Sequence, residues 1–124
     1  MKYEQLFIKY PKLFSRLKYI ECNEGWIDII DLLCTQIEII NSKYPDPEQG
    51  IFASQVKQKY GGLRFYISSD GVFTEHQRYV DKLILDAESI SYKTCESCGA
   101  PAAKVRTSRY STLCDECNTT TSVK

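Results

Sequence analysis

Apolar residues recur at three- and four-residue steps in three segments of the chain, and this spacing predicts amphipathic helices. The clearest stripe lies in residues 26–44. A second lies in residues 3–19, where Pro11 is expected to divide two short helices. A third begins at residues 74–77, which have the spacing of a capping box, and extends to Tyr92. The body of the protein is therefore expected to be helical.

Residues 55–68 have a different pattern, which predicts a β-hairpin. Two β-prone runs flank Gly61-Gly62, and glycine readily adopts the positive φ that a two-residue loop requires. With that loop, Lys59 is expected to lie opposite Arg64. Lys57 is expected to lie opposite Tyr66 on the same polar face. The other face carries residues suited to burial, which are Val56, Tyr60, Leu63, Phe65 and Ile67.

The polar face of the hairpin is a candidate binding surface. Like charges that oppose each other across two strands cost stability, so a Lys59–Arg64 pair predicts a compensating anion. A phosphate, a nucleotide or an acidic loop of a partner would serve, and Tyr66 offers a ring for stacking beside Lys57. The other interpretation is that these lysines extend into water and discourage aggregation of the strand edge.

Two CxxC pairs predict a metal site. Cys95 and Cys98 form the first pair and Cys114 and Cys117 the second, with residues 99–113 between them. Four thiolates complete a tetrahedral shell for one Zn²⁺ ion, and a closed shell has a structural rather than a catalytic role. An iron site on the same ligands is one alternative, and redox-active or simply buried cysteines are another.

Composition narrows the setting in which the protein acts. The chain of 124 residues has 16 basic and 16 acidic side chains, so no net charge draws it to nucleic acid or to a membrane surface. No apolar run approaches the roughly 20 residues that span a bilayer, and we expect a cytoplasmic protein. Disulfides are not expected in a reducing compartment, and Cys34, within the strongest helix, is expected to pack in the core.

Enzyme patterns are weak in this sequence. His76 is the only histidine, and it precedes Gln77 rather than completing the His-x-Glu element of zinc deaminases. We therefore expect a protein that is not an enzyme. The predicted ribbon carries cations that could contact nucleic acid or balance the charge of a zinc-tetrathiolate centre, which are Lys104, Arg106 and Arg109. A nucleic-acid-binding regulator is therefore the alternative, although it is not favoured.

These features together predict an α+β fold. Residues 1–92 are expected to form a helical body with the β-hairpin, residues 93–118 a zinc ribbon with four cysteine ligands, and residues 119–124 a flexible tail. A homo-oligomer is compatible with this organisation.

Several motifs resemble those of a group of small uncharacterised phage and prophage zinc-ribbon proteins. They are Gly25-Trp26 at a helix start, VKQKYGGLRFY over residues 56–66, and CESCG followed by LCDEC. That group usually has an acidic residue where Gln58 stands and a tryptophan near Tyr110. The resemblance implies a phage accessory protein that binds and blocks or sequesters a host factor, either a defence protein or a signalling nucleotide. It also implies a partner surface formed by Lys57, Lys59, Tyr60, Arg64 and Tyr66.

Overall fold

The computed structural model describes residues 1–122 and has the predicted α+β fold. A 3₁₀ turn, Glu24–Trp26, leads directly into the helix that the clearest apolar stripe predicts, Ile27–Asn41. The elements in chain order are α1 (Tyr3–Lys9), α2 (Ile27–Asn41), β1 (Gly50–Lys59), β2 (Gly62–Asp70), α3 (Thr74–Ser91), β3 (Lys104–Arg106), β4 (Ser111–Leu113) and α4 (Asp115–Ser122).

The helices follow the apolar periodicity with one exception. The segment after Pro11 forms consecutive turns instead of the second short helix that the spacing predicts. The backbone of this segment forms a hydrogen bond to the hairpin instead: the Leu13 carbonyl accepts the N–H of Ala53 in β1 at 2.8 Å. Leu13 is nevertheless fully buried, which explains why the segment has a helix-like apolar pattern.

The core lies between the helices α1, α2 and α3 and one face of the β1–β2 hairpin. Asn41 fixes the end of α2 to the start of β1. Its buried side chain donates to the Ile51 carbonyl at 3.0 Å and accepts the Ile51 N–H at 2.8 Å, so it pairs with both backbone groups of this strand residue. The largest fully buried side chains include Trp26, Phe52, Leu6, Leu13, Ile30, Ile37, Ile51 and Leu63.

The hairpin forms, but the predicted register was wrong. The turn is Tyr60-Gly61, with φ of 53° and 87°, as a type I′ turn requires at both central positions. The partner of Arg64 is therefore Lys57 rather than Lys59, and Lys59 lies opposite Gly62. Tyr66 lies opposite Gln55 and not opposite Lys57. The lysine that faces Arg64 changes, but the pair stays on the polar face of the hairpin.

A close approach of α3 explains this register. A Cβ atom on Gly62 would lie 2.4 Å from atoms of the Tyr92 ring, directly after α3, so a larger residue here would force that side chain to move. The hydroxyl of Ser91 also accepts the N–H of the next strand residue, Leu63, at 2.9 Å. Gly62 therefore allows the close contact at the end of α3, and the turn is formed by Tyr60 and Gly61.

The C-terminal part forms a second two-stranded antiparallel sheet, β3–β4, followed by α4. A flexible tail was predicted for residues 119–124, and its flexibility stays a prediction. The helix α4 continues to Ser122, and residues 123–124 lie outside the described part of the chain. In the described part, none of the helices combines the length and the apolar character needed to cross a membrane.

Candidate metal centre and adjoining surface

The cysteines of the two CxxC pairs meet at one point. The Sγ atoms of Cys95, Cys98, Cys114 and Cys117 all lie within 4.8 Å of one another, and those of Cys98 and Cys114 are 3.8 Å apart. A tetrahedral Zn²⁺ with bonds of about 2.3 Å would separate its sulfur ligands by roughly 3.8 Å. The donor set and its spacing therefore fit a metal ion held by four thiolates.

The backbone of both CxxC turns supports this arrangement. The Cys98 N–H donates to Cys95 Sγ at 3.5 Å, and the Cys117 N–H donates to Cys114 Sγ at 3.4 Å. Gly99 has a φ of 84°, which lets the chain reverse directly after the first pair. Burial raises the pKa of the Cys95 thiol, but backbone N–H hydrogen bonds outweigh that effect and lower the pKa to about 6. This sulfur is therefore readily available as a thiolate ligand.

The two remaining cysteines lie outside the cluster. Cys34 is fully buried in the core, as its place in the helix predicts, and Cys22 Sγ lies 3.3 Å from the Tyr3 hydroxyl. Burial raises the pKa of Cys34, and burial likewise raises the pKa of Cys22 to about 12. Both groups therefore stay protonated thiols at neutral pH, which suits packing rather than metal binding.

Glu96, inside the first CxxC pair, fastens the ribbon to the helical body. Its side chain is buried, and its carboxylate accepts the Asn23 N–H at 3.0 Å and the Ser111 hydroxyl at 2.7 Å. Its carbonyl accepts the Gly25 N–H at 2.7 Å, and its N–H donates to the Thr112 carbonyl at 2.8 Å. One residue thus joins the segment before α2 to β4.

The Gly25-Trp26 motif lies at the same junction. A Cβ atom on Gly25 would lie 2.3 Å from the carbonyl oxygens of Cys95 and Glu96, so a larger residue would push the ribbon away. Trp26 is fully buried, and its indole N–H donates to the Thr94 carbonyl at 2.9 Å. The motif therefore seats the first CxxC pair against the start of α2.

The hairpin turn reaches the junction from the other side. A Cβ atom on Gly61 would lie 2.8 Å from Val105 in β3, and the Thr112 hydroxyl donates to the Gly61 carbonyl at 2.6 Å. The motifs that carry the phage resemblance thus converge where the body meets the ribbon. Gly25 and Gly61 have a structural explanation in that contact.

Arg64, one of the five residues predicted to form a partner surface, pairs with an acidic side chain of the same chain. Arg64 is half-buried, and its guanidinium donates to Glu88 at 2.7 Å and to the Tyr92 hydroxyl at 3.3 Å. The anion that compensates Arg64 is therefore part of the chain. Tyr66 is exposed and lines an open cleft together with Tyr19.

A tyrosine pair lies at the end of the hairpin, and it includes Tyr60 of the predicted partner surface. The rings of Tyr60 and Tyr110 meet edge to face with centroids 5.5 Å apart, and both are largely exposed, at 62% and 59%. Both have positive φ, 53° and 50°, which is unusual for bulky residues. The Lys59 ammonium lies 5.9 Å from the centroid of the Tyr60 ring. We call Lys59, Tyr60 and Tyr110 the tip surface.

The sequence did not reveal Tyr110 as part of this surface. The two tyrosines are far apart in the chain, and only the contact between the hairpin and the ribbon brings them together. The signals for Tyr110 are weak: a tyrosine stands in a turn, and the phage group that the motifs resemble usually has a tryptophan near this position.

The cations of the ribbon are partly neutralised by α4. Arg106 donates to the Asp115 carboxylate at 2.7 Å. The hydrogen bond from Arg106, together with the charges of Arg106 and Lys104, lowers the pKa of Asp115. This local pairing weakens the case for a nucleic-acid surface built from Lys104, Arg106 and Arg109.

Comparisons of the chain with protein-family models, with curated proteins and with solved structures found no match. The resemblance to phage zinc-ribbon proteins therefore stays a hypothesis that its motifs carry alone.

Proposed function

We propose that the cysteine cluster binds one structural Zn²⁺ ion. Among the described residues, the group that meets there consists of four sulfur donors, which suits a closed tetrahedral zinc shell with no position for substrate. Elemental analysis of purified protein should give about one zinc per chain. Cys95→Ser should lower that ratio and Cys22→Ser, a cysteine outside the cluster, should not. A coloured protein with stoichiometric iron would contradict the assignment.

We propose further that the protein works by binding rather than by catalysis. It would be a phage-type accessory protein of the bacterial cytoplasm that blocks or sequesters a host factor, with an anionic nucleotide or an acidic surface of a defence protein as its target. The ribbon would then serve as a brace that holds the tip surface in place.

The observation that carries this proposal is the exposed tyrosine pair of the tip surface. Exposed aromatic rings on a rigid support are typical contact points of binding proteins, because they offer large area at little entropic cost. Lys59 stands beside Tyr60, and within residues 1–122 neither Lys59 nor Lys57 takes part in an ion pair. An aromatic surface with uncompensated cations suits an anionic ligand that can stack.

The nucleotide form of this proposal is tested by mass spectrometry. Protein purified from cells or incubated with host extract is denatured, and the released small molecules are analysed. We expect a nucleotide from the wild type, much less from Lys59→Glu or Tyr60→Ala, and an unchanged amount from Lys43→Glu, an exposed lysine of the α2–β1 loop. Equal recovery from all four proteins would contradict the role of the tip surface.

The protein form is tested with the same variants by capture of host proteins from lysate. A host protein retained by the wild type and by Lys43→Glu, but lost with Lys59→Glu, would support it. Binding of single-stranded oligonucleotides that weakens steeply with salt, with no nucleotide or protein retained, would instead support the nucleic-acid alternative.

A further inference from the structure

A groove runs between α2 and α3, and none of the residues that line it belongs to the tip surface. It has a volume of about 400 Å³. Its floor is formed by Leu33 and Ala87, which are buried. Leu32 and Ile90 stand at its walls and remain largely exposed, at 60% and 51%. Aliphatic side chains of this size are usually covered when they line a concave surface, because exposing them to water is costly.

The rim of the groove carries charge of one sign. Asp28 and Asp86 are the two ionisable residues among the described residues that line it, and Gln36 is neutral. Within residues 1–122 neither carboxylate takes part in an ion pair. Both therefore present uncompensated negative charge beside an apolar floor.

We infer that this groove binds a basic amphipathic helix of a partner protein. A groove between two helices accepts the apolar side chains of a third helix at three- and four-residue spacing. Lysine or arginine residues that flank this apolar stripe would meet Asp28 and Asp86 at the rim, so the charge of the groove specifies the sign of its partner.

The same charges argue against other occupants. A second copy of the chain, docked by the same groove about a two-fold axis, would bring the Asp28 and Asp86 carboxylates of both copies together in a desolvated interface. Nucleic acid and anionic lipid surfaces would be repelled by the rim for the same reason. A partner with positive charge around an apolar stripe satisfies both features.

The inference is tested with two fluorescent model peptides and the full-length protein. One peptide is an amphipathic helix of leucine and lysine, and the other has the same leucine pattern with glutamate in place of lysine. Fluorescence anisotropy should show that the lysine peptide binds at least about tenfold more tightly than the glutamate peptide. Absence of binding, or equal binding of the two peptides, would overturn the inference.

Matched variants locate the binding site. Leu32→Glu should weaken binding of the lysine peptide by about tenfold or more, whereas Leu85→Glu, an equally exposed leucine of α3 outside the groove, should not. Asp28→Lys with Asp86→Lys should reverse the preference in favour of the glutamate peptide. Glu48→Lys with Asp81→Lys makes the same change in net charge outside the groove and should leave the preference unchanged.

Three further results would overturn the inference. The first is an equal effect of the two charge-reversing pairs, which would show that only net charge attracts the peptide. The second is that the Leu32→Glu variant binds the lysine peptide as tightly as the wild type does. The third is a dimer in sedimentation equilibrium that Leu32→Glu dissociates, since that would assign the groove to a second copy of the chain.

Discussion

Arg64 donates a hydrogen bond to the Glu88 carboxylate at 2.7 Å, and this contact between β2 and α3 supplies from within the chain the anion that the hairpin sequence demands. Lys57 lies directly opposite Arg64, so the two strands do bring like charges together. Glu88 neutralises Arg64, so this arginine requires no external ligand, whereas Lys57 stays unpaired within residues 1–122.

Glu88→Gln should lower the free energy of unfolding by about 1 kcal/mol, because it leaves Arg64 opposite Lys57 without a counter-charge. The pair is half-exposed, which limits the effect. Combining it with Lys57→Gln should restore part of the stability. Glu48→Gln, an exposed carboxylate in a loop, serves as the control. Urea unfolding measures all four proteins, and equal midpoints for Glu88→Gln and Glu48→Gln would contradict the role given to this pair.

The helices α2 and α3 and the presence of the hairpin could be predicted from the sequence, but α4, the turns after Pro11 and the contacts between elements could not. The apolar spacing located α2 and α3, and the CxxC spacing located the cysteine cluster, since both signals are local. The hairpin register could not be obtained in this way, because a glycine pair can serve either a turn or a close contact. Gly62 serves the contact with Tyr92, which no local pattern records.

The tip surface shows the same limit. The positive φ of Tyr60 and Tyr110 contradicts local preference and is held by the contact between hairpin and ribbon. The hairpin pattern in the sequence indicated burial for Tyr60, whereas the motif indicated a binding role. Only the tertiary structure shows that the Tyr60 ring is exposed.

Removal of the metal should be visible at the only tryptophan of the chain. Trp26 is fully buried, and its indole donates to Thr94, one residue before the first cysteine of the cluster. Since a ribbon of this size depends on its metal for folding, chelation should release Thr94 and expose the indole. Fluorescence emission should shift to longer wavelength and return when Zn²⁺ is added.

Cys95→Ser should show the shifted emission without chelator, and Cys22→Ser should respond to chelator as the wild type does. Unchanged emission after elemental analysis has verified complete metal loss would show that the ribbon stays docked without metal.

Gly25→Ala should destabilise the protein by about 3 kcal/mol, at the upper end of overpacking costs, because the new Cβ meets two backbone carbonyls that cannot rotate away. It should also weaken zinc retention against a chelator, since the contact lies on the first CxxC pair. Gly71→Ala is the comparison: its φ is 68°, and its Cβ would meet only the Gln49 side chain at 3.1 Å.

Gly71→Ala should therefore cost about 1 kcal/mol from backbone strain and leave zinc retention unchanged. Thermal unfolding and competition with a chromophoric chelator measure both quantities. Similar effects of the two variants on zinc retention would contradict a special role for the Gly25 contact.

The hairpin turn allows stability and binding to be separated. Tyr60 and Gly61 occupy the two central positions of a type I′ turn, where Asn-Gly is the preferred pair. Tyr60→Asn and Tyr60→Ala both remove the ring that meets Tyr110, but asparagine tolerates positive φ and alanine does not. We expect Tyr60→Asn to be more stable than Tyr60→Ala by about 1 kcal/mol in urea unfolding.

Both variants should nevertheless lose binding at the tip surface to the same extent, because a bound ligand would contact the ring and not the turn. The amount of nucleotide or host protein recovered with each variant, at a temperature where both are folded, measures this loss. If recovery instead follows stability, so that Tyr60→Asn binds as the wild type does, then Tyr60 contributes only the shape of the turn. In that case Tyr110 and Lys59 would have to account for binding without it.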